Sequence, residues 1–173
     1  MSKSLLHVVT NVGHYEDSDH PTGLWLSELT HAWDVFEEHR FDQAIVSPEG
    51  GRSPLEPRAL KFPLLGKSAK AWRADPDRMT LLENTASPDQ IDPTQFDAIY
   101  LTGGHAVMYD FPGSEGLQRL SREIFERGGI VSSVCHGCCG LLNIRLSDGT
   151  LITAQNPGSA KATAQKVATA LAP

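Results

Sequence analysis

The chain has few cysteines and no second cysteine cluster. All three fall within "SSVCHGCCGLL" (132–142), at 135, 138 and 139. A structural zinc site draws four ligands, usually from two paired clusters, so a lone Cys-x-x-Cys gives a zinc knuckle little support. The N-terminal "MSKSLLHVVTNVG" holds an apolar run too short for a signal peptide, with no cleavage-like site after it. Clustered cysteines without such a peptide point to a reducing, cytoplasmic setting and away from a disulfide scaffold. No stretch approaches 18 apolar residues, so no membrane span is expected. There is no basic stripe either: Lys and Arg are scattered and the net charge is −6, which argues against nucleic acid or an anionic membrane as partner. The Gly-Gly loop at 103–104 is not a GxGxxG, so dinucleotide binding has no support.

What is present is alternation. "LLHVV" (5–9), "QAIVS" (43–47), "DAIYLTGG" (97–104), "GIVSSVC" (129–135) and "LITA" (151–154) read as strands, the third and fourth apolar enough to be buried on both faces. Helical spacing marks 23–38, with Trp25, Leu29, Ala32 and Phe36 on one stripe, and 114–127, stopped by Gly128. A further helix is expected over 75–84, where Asp75 caps and Pro76 takes the first position, and another over 159–171, capped by Ser159. Proline-rich 48–74 reads as a surface excursion. A chain of 173 residues in this pattern predicts one α/β domain, a three-layer, doubly wound, mostly parallel sheet. Ligands in such folds sit beyond the carboxyl ends of the strands. The loops after the first, third and fourth strands are therefore expected to line the site.

Two readings of the cysteines remain. Cys135 and Cys138 could form a redox dithiol, although such motifs normally follow the first strand of their fold. Alternatively, Cys135 sits on a sharp strand-to-helix turn as a single nucleophile. Gly137 would allow close approach there, and a helix N-terminus would favour the thiolate. Cys138 and Cys139 would then be packing residues. Glu28 interrupts the apolar stripe of the first helix, either at its edge or as a partly buried acid aimed at the pocket. His136 beside the cysteine and His105 after the Gly-Gly loop are candidate bases. His14, Glu16, Asp17 and His20 could hold a metal, but read better as a solvated loop.

The combination of "LTGGHAVMYDFPG" with "GGIVSSVCHGCCGLLN" resembles the ThiJ/PfpI superfamily, the class I glutamine amidotransferase-like fold. "GLWLSELTHAWDVF" and "SPEGGRSPLEPRAL" are similar to its glyoxalase III-like branch. The resemblance covers residues 5–150 and implies a flavodoxin-like sheet. It implies that Cys135 is an oxidation-sensitive nucleophile, Glu28 the acid hydrogen-bonded to its sulfur, His136 the histidine beside it, and Gly103 and Gly104 donors of an oxyanion site. The implied activity is cofactor-free and metal-free conversion of a small carbonyl substrate, methylglyoxal, to lactate in stress defence. A chaperone-like or small-molecule-binding module and an amidotransferase-like or peptidase-like hydrolase are the alternatives. Two features depart from the pattern. Cys138-Cys139 stands where relatives carry a small residue or proline. Relatives also have a further segment, able to supply the acidic partner of His136, between "LSDG" (146–149) and Leu151. Its absence predicts a sheet shortened toward the C-terminus, and the exposed sheet margin predicts a homodimer.

Overall fold

The structure is a computed structural model, described here for residues 2–16, 18–142, 150–154 and 156–172. The "LSDG" junction before Leu151 lies outside the described residues. Five strands form one all-parallel sheet: β1 (Ser4–Val8), β2 (Asp42–Val46), β3 (Ala98–Leu101), β4 (Ile130–Val134) and β5 (Thr150–Ala154), in the order β2-β1-β3-β4-β5. The chain winds outward from β1 in one direction and from β3 in the other, so the order reverses between them. This is the flavodoxin-like switch point, where a crevice opens beyond the strand ends. β5 forms one edge of the sheet.

Strand residues alternate between two cores, as the period of two requires. Leu5, Tyr100, Ile130 and Val134 point to one face, under α1 (Leu26–Glu38) and α6 (Ala160–Leu171). Leu6, Val8, Ile99, Leu101 and Val131 point to the other, under α5 (Glu115–Glu126) and the short α4 (Val107–Asp110). Ser114 caps α5 by accepting from the Leu117 N–H, and Gly128 ends it at φ +85°.

The expected excursion over 48–74 does run along the surface, with Phe62 93% exposed, but it sends Ala59, Ala69 and Trp72 into the core. It carries a 3-10 turn (Pro57–Leu60) and α2 (Lys67–Ala74), whose Trp72 is fully buried beside Leu82 of α3 (Pro76–Glu83). Asp75 caps α3 by accepting from the Asp77 and Arg78 N–H groups. Ser159, expected to cap α6, makes no side-chain cap; its hydroxyl turns to Asn156. Among the described residues, no helix is long and apolar enough to cross a membrane.

Candidate active site

β4 delivers the chain straight to Cys135, whose φ of +54° lies in the left-handed region. A residue with a Cβ is held there only when its surroundings over-determine it, at a cost of about 1–3 kcal/mol. Here Gly137 does much of the holding. A Cβ on it would stand 2.5 Å from the Leu101 oxygen and 2.6 Å from that of Thr102, so only glycine lets this turn lie on the end of β3. The segment that follows, Cys135–Leu141, is a 3-10 helix rather than the expected α-helix. The half-buried Cys135 sulfur lies 3.2 Å from His136 Nδ1, and the backbone N–H groups of His136 and Gly104 donate toward it.

Glu28 does not reach water at the stripe's edge: it is 0% exposed, buried more deeply than the partly buried, pocket-facing acid of the other reading. Its Oε2 accepts the Gly103 N–H at 2.6 Å, while Oε1 has no partner within the protein. Burial raises its pKa from 4.5 to about 8, against the opposing pull of the Gly103 N–H and the Cys135 thiol. Gly103 has no room for a side chain, since a Cβ would fall 2.7 Å from Glu28 Oε2 and 2.8 Å from Cys135 Cβ. Its amide is committed to the acid, so the two N–H groups left facing the sulfur are those of Gly104 and His136, not the expected Gly103–Gly104 pair. The thiol also departs from expectation. Burial pushes the Cys135 pKa up, and the neighbouring Glu28 carboxylate adds to this whenever it is ionised.

A polar cluster that the sequence did not suggest closes the opposite wall. Glu56, 1% exposed, takes a two-pronged ion pair from Arg58 at 2.8 and 3.0 Å and the Thr22 hydroxyl at 2.9 Å. Arg58 Nη2 reaches Tyr15 Oη at 3.1 Å and His105 Nδ1 at 3.3 Å. The His105 and His136 rings face each other with centroids 4.8 Å apart. The only available signal was "EPR" at 56–58, opposite charges flanking a proline at the start of a turn. All three expected loops thus meet here, through Tyr15, through Gly103–His105 and through Cys135–His136.

Cys138 is exposed rather than packed, and its thiol points to the Cys135 carbonyl at 3.5 Å. Cys139 is half-buried, donates to the Val107 carbonyl at 3.4 Å, and is pushed up to about 12, chiefly by burial. No carboxylate lies within 4.0 Å of His136 among the described residues. Of the candidate metal loop, Asp17 lies outside the described residues, and no group of three metal-ligating side chains occurs among the described ones.

The sequence profile of the DJ-1/PfpI family matches residues 22–156. Two Schizosaccharomyces pombe proteins align with the chain. The glutathione-independent glyoxalase hsp3102 is 31% identical over 144 residues, covering 82% of this chain and 60% of that one. The probable glutathione-independent glyoxalase hsp3103 is 29% identical over 147 residues, covering 71% and 56%. The chain therefore spans little more than half the length of these curated relatives. The crystal structure of glyoxalase III from Candida albicans superposes with a TM-score of 0.85 at 20% identity, over 97% of each chain. At that identity the likeness speaks for the fold.

Proposed function

The chain belongs to the DJ-1/PfpI family, and from that premise we propose that it is a glyoxalase III-like enzyme converting a small 2-oxoaldehyde such as methylglyoxal to its 2-hydroxy acid. The observation that carries this reading is the pairing of Cys135 with Glu28, a buried carboxyl whose proton is held with a pKa of about 8. A group meant to give and take one proton near neutrality works best with such a value.

The thiol proton passes to His136 Nδ1, 3.2 Å away. The Cys135 sulfur attacks the aldehyde carbon, forming the C–S bond of a hemithioacetal. Its oxygen draws on the Gly104 and His136 N–H groups and then takes the proton back from His136. The Glu28 carboxyl protonates the neighbouring ketone oxygen. As carboxylate it then removes the hydrogen of the thiol-bearing carbon, giving an enediol. Glu28 returns that proton to the adjacent carbon and takes up the hydroxyl proton of the sulfur-bearing carbon, which leaves a thioester of the hydroxy acid and restores the carboxyl. Water, deprotonated by His136, cleaves the C–S bond and frees the acid and the thiol. One carbon is oxidised and its neighbour reduced, so the electrons balance within the substrate and the reaction as written calls for no external oxidant.

A second reading, a holding or binding module with little turnover, is favoured by the absence of a carboxylate beside His136 among the described residues. Lactate formation from methylglyoxal separates the two. Enzymatic turnover should be abolished in Cys135→Ala and fall at least about 100-fold in Glu28→Gln, the scale of a lost general acid–base. Equal, negligible rates in wild type and Cys135→Ala would refute the enzyme reading.

A further inference from the structure

Two histidines stand at the candidate site, and only one of them touches the sulfur. His136 Nδ1 lies 3.2 Å from Cys135 Sγ, while the His105 ring lies against the His136 ring, centroids 4.8 Å apart and planes tilted by 38°. Two imidazoles this close cannot both be charged without strong mutual repulsion. Something must decide which one carries a proton.

We propose that Arg58 is a positioning residue that fixes His105 as the neutral Nε2–H tautomer and so reserves for His136 the proton released by Cys135. This rests on the reading of Cys135 as nucleophile. The decisive contact is Arg58 Nη2 to His105 Nδ1 at 3.3 Å. A guanidinium has five donors and no acceptor. Nδ1 facing it can only accept, so the His105 proton sits on Nε2. Nη2 has two hydrogens and three oxygen or nitrogen neighbours: Glu56 Oε2 at 3.0 Å, Tyr15 Oη at 3.1 Å and His105 Nδ1. One hydrogen serves Glu56 and the other is shared between Tyr15 and His105. However that sharing falls, a hydrogen on Nδ1 would collide with a guanidinium hydrogen.

Arg58 is itself held. Glu56 is 1% exposed and grips it at two points, and the Thr22 hydroxyl holds Glu56 from behind. The charged and titratable groups facing His105 are therefore His136 from the turn after β4, and Arg58 and Glu56 from the turn after β2. Burial, His136 and Arg58 each lower the His105 proton affinity; Glu56 alone raises it. The balance keeps His105 neutral. When Cys135 ionises, the thiol hydrogen moves from Sγ to His136 Nδ1 and leaves a thiolate beside an imidazolium. That imidazolium then lies against the π face of an uncharged ring, a favourable arrangement that a protonated His105 would reverse.

The test is long-range nitrogen–proton NMR correlation of the imidazoles across pH 5–9, which reports tautomer and titration without relying on turnover. The wild type should show His105 as Nε2–H alone, titrating below an ordinary imidazole. Arg58→Met would strand the buried Glu56 carboxylate, so the informative variant is Glu56→Gln with Arg58→Met, beside Glu56→Gln as control. The control retains the donor and should keep the single tautomer. The double variant should show both His105 tautomers and a His105 midpoint shifted upward. A wild-type His105 protonated on Nδ1, a control that loses the single tautomer, or a double variant with unchanged His105 tautomer and midpoint would overturn the proposal. A protein that behaves as stated yet forms no lactate would instead refute the enzyme reading and leave the Arg58–His105 arrangement standing.

Discussion

Glu28 should make the fold lose stability as the pH rises, and Glu28→Gln should remove that loss. In the unfolded chain the carboxyl ionises near its ordinary 4.5; in the folded protein it holds its proton to about 8, because burial disfavours the anion. A folded-state pKa above the unfolded one gives stability that is complete below 4.5 and lost progressively as pH rises toward 8. The slope within that window is about 1.4 kcal/mol per pH unit. In the unfolded chain the acid is about three-quarters ionised at pH 5 and almost fully at pH 7, while in the folded protein it stays almost fully protonated. Integrated over the two units, this comes to about 2.5 kcal/mol. Glutamine keeps an oxygen to accept the Gly103 N–H at the same place, and it does not titrate. Urea unfolding at pH 5 and pH 7 therefore gives four free energies. The pH 5 minus pH 7 difference should be larger by about 2.5 kcal/mol in wild type than in Glu28→Gln, other titrating groups cancelling between the two proteins. Since small domains are stable by only about 5–15 kcal/mol, the effect is well within reach of measurement. Equal differences in the two proteins would mean that Glu28 is ionised throughout this range, and the proton-sharing role proposed for it would fall.

His7 should act in the opposite direction. It is fully buried among Trp33, Phe36 and Tyr100, its Nε2 bonded to Gln43 at 2.8 Å, and burial lowers its pKa from 6.5 to about 4. Its contribution is present above pH 6.5 and lost between 6.5 and 4, about 3 kcal/mol in all; proton NMR should find the His7 imidazole still neutral at pH 5, and a midpoint near 6.5 would contradict this. Gly137→Ala should lower the melting temperature by several degrees, since its Cβ meets backbone oxygens at 2.5 and 2.6 Å, whereas Gly113→Ala, with nothing within 4 Å, should not; equal melting temperatures for the two variants would show that the Cys135 turn tolerates displacement.

The parts of this protein that were legible in sequence are those written in short patterns. Strand β4 running into a cysteine two residues before a glycine, and a glutamate inside the stripe of α1, are each contained within about a dozen residues. The parallel sheet follows from alternation, whereas its flavodoxin-like order was implied only by the family resemblance. The Glu56–Arg58–His105 wall was not legible, because His105 stands 47 residues from Arg58 and no periodicity links them. Prolines around Glu56 mark a turn, and a charged pair in a turn is ordinarily solvated. Here Thr22 and Arg58 satisfy the carboxylate, so it is buried all the same.

The thiol's proton affinity was misjudged for a different reason, one of magnitude. A helix N-terminus favours an anion by about 0.3–1 kcal/mol, less than one pKa unit, and only where a regular α-helical turn presents its free N–H groups. The residues after Cys135 form a 3-10 segment. Against that stand burial, which alone can move a pKa by several units, and a carboxyl pressed against the same pocket. Two acids held this closely cannot lose their protons independently. Once the carboxyl is neutral its repulsion of the thiolate disappears, and the partnerless Glu28 oxygen offers the place from which a hydrogen could be given to sulfur or substrate. Reactivity of Cys135 near neutrality therefore depends less on a low intrinsic thiol pKa than on Glu28 staying protonated while the thiol gives its hydrogen to His136. Burial keeps that proton on Glu28, and this is what the pH dependence of Glu28→Gln measures.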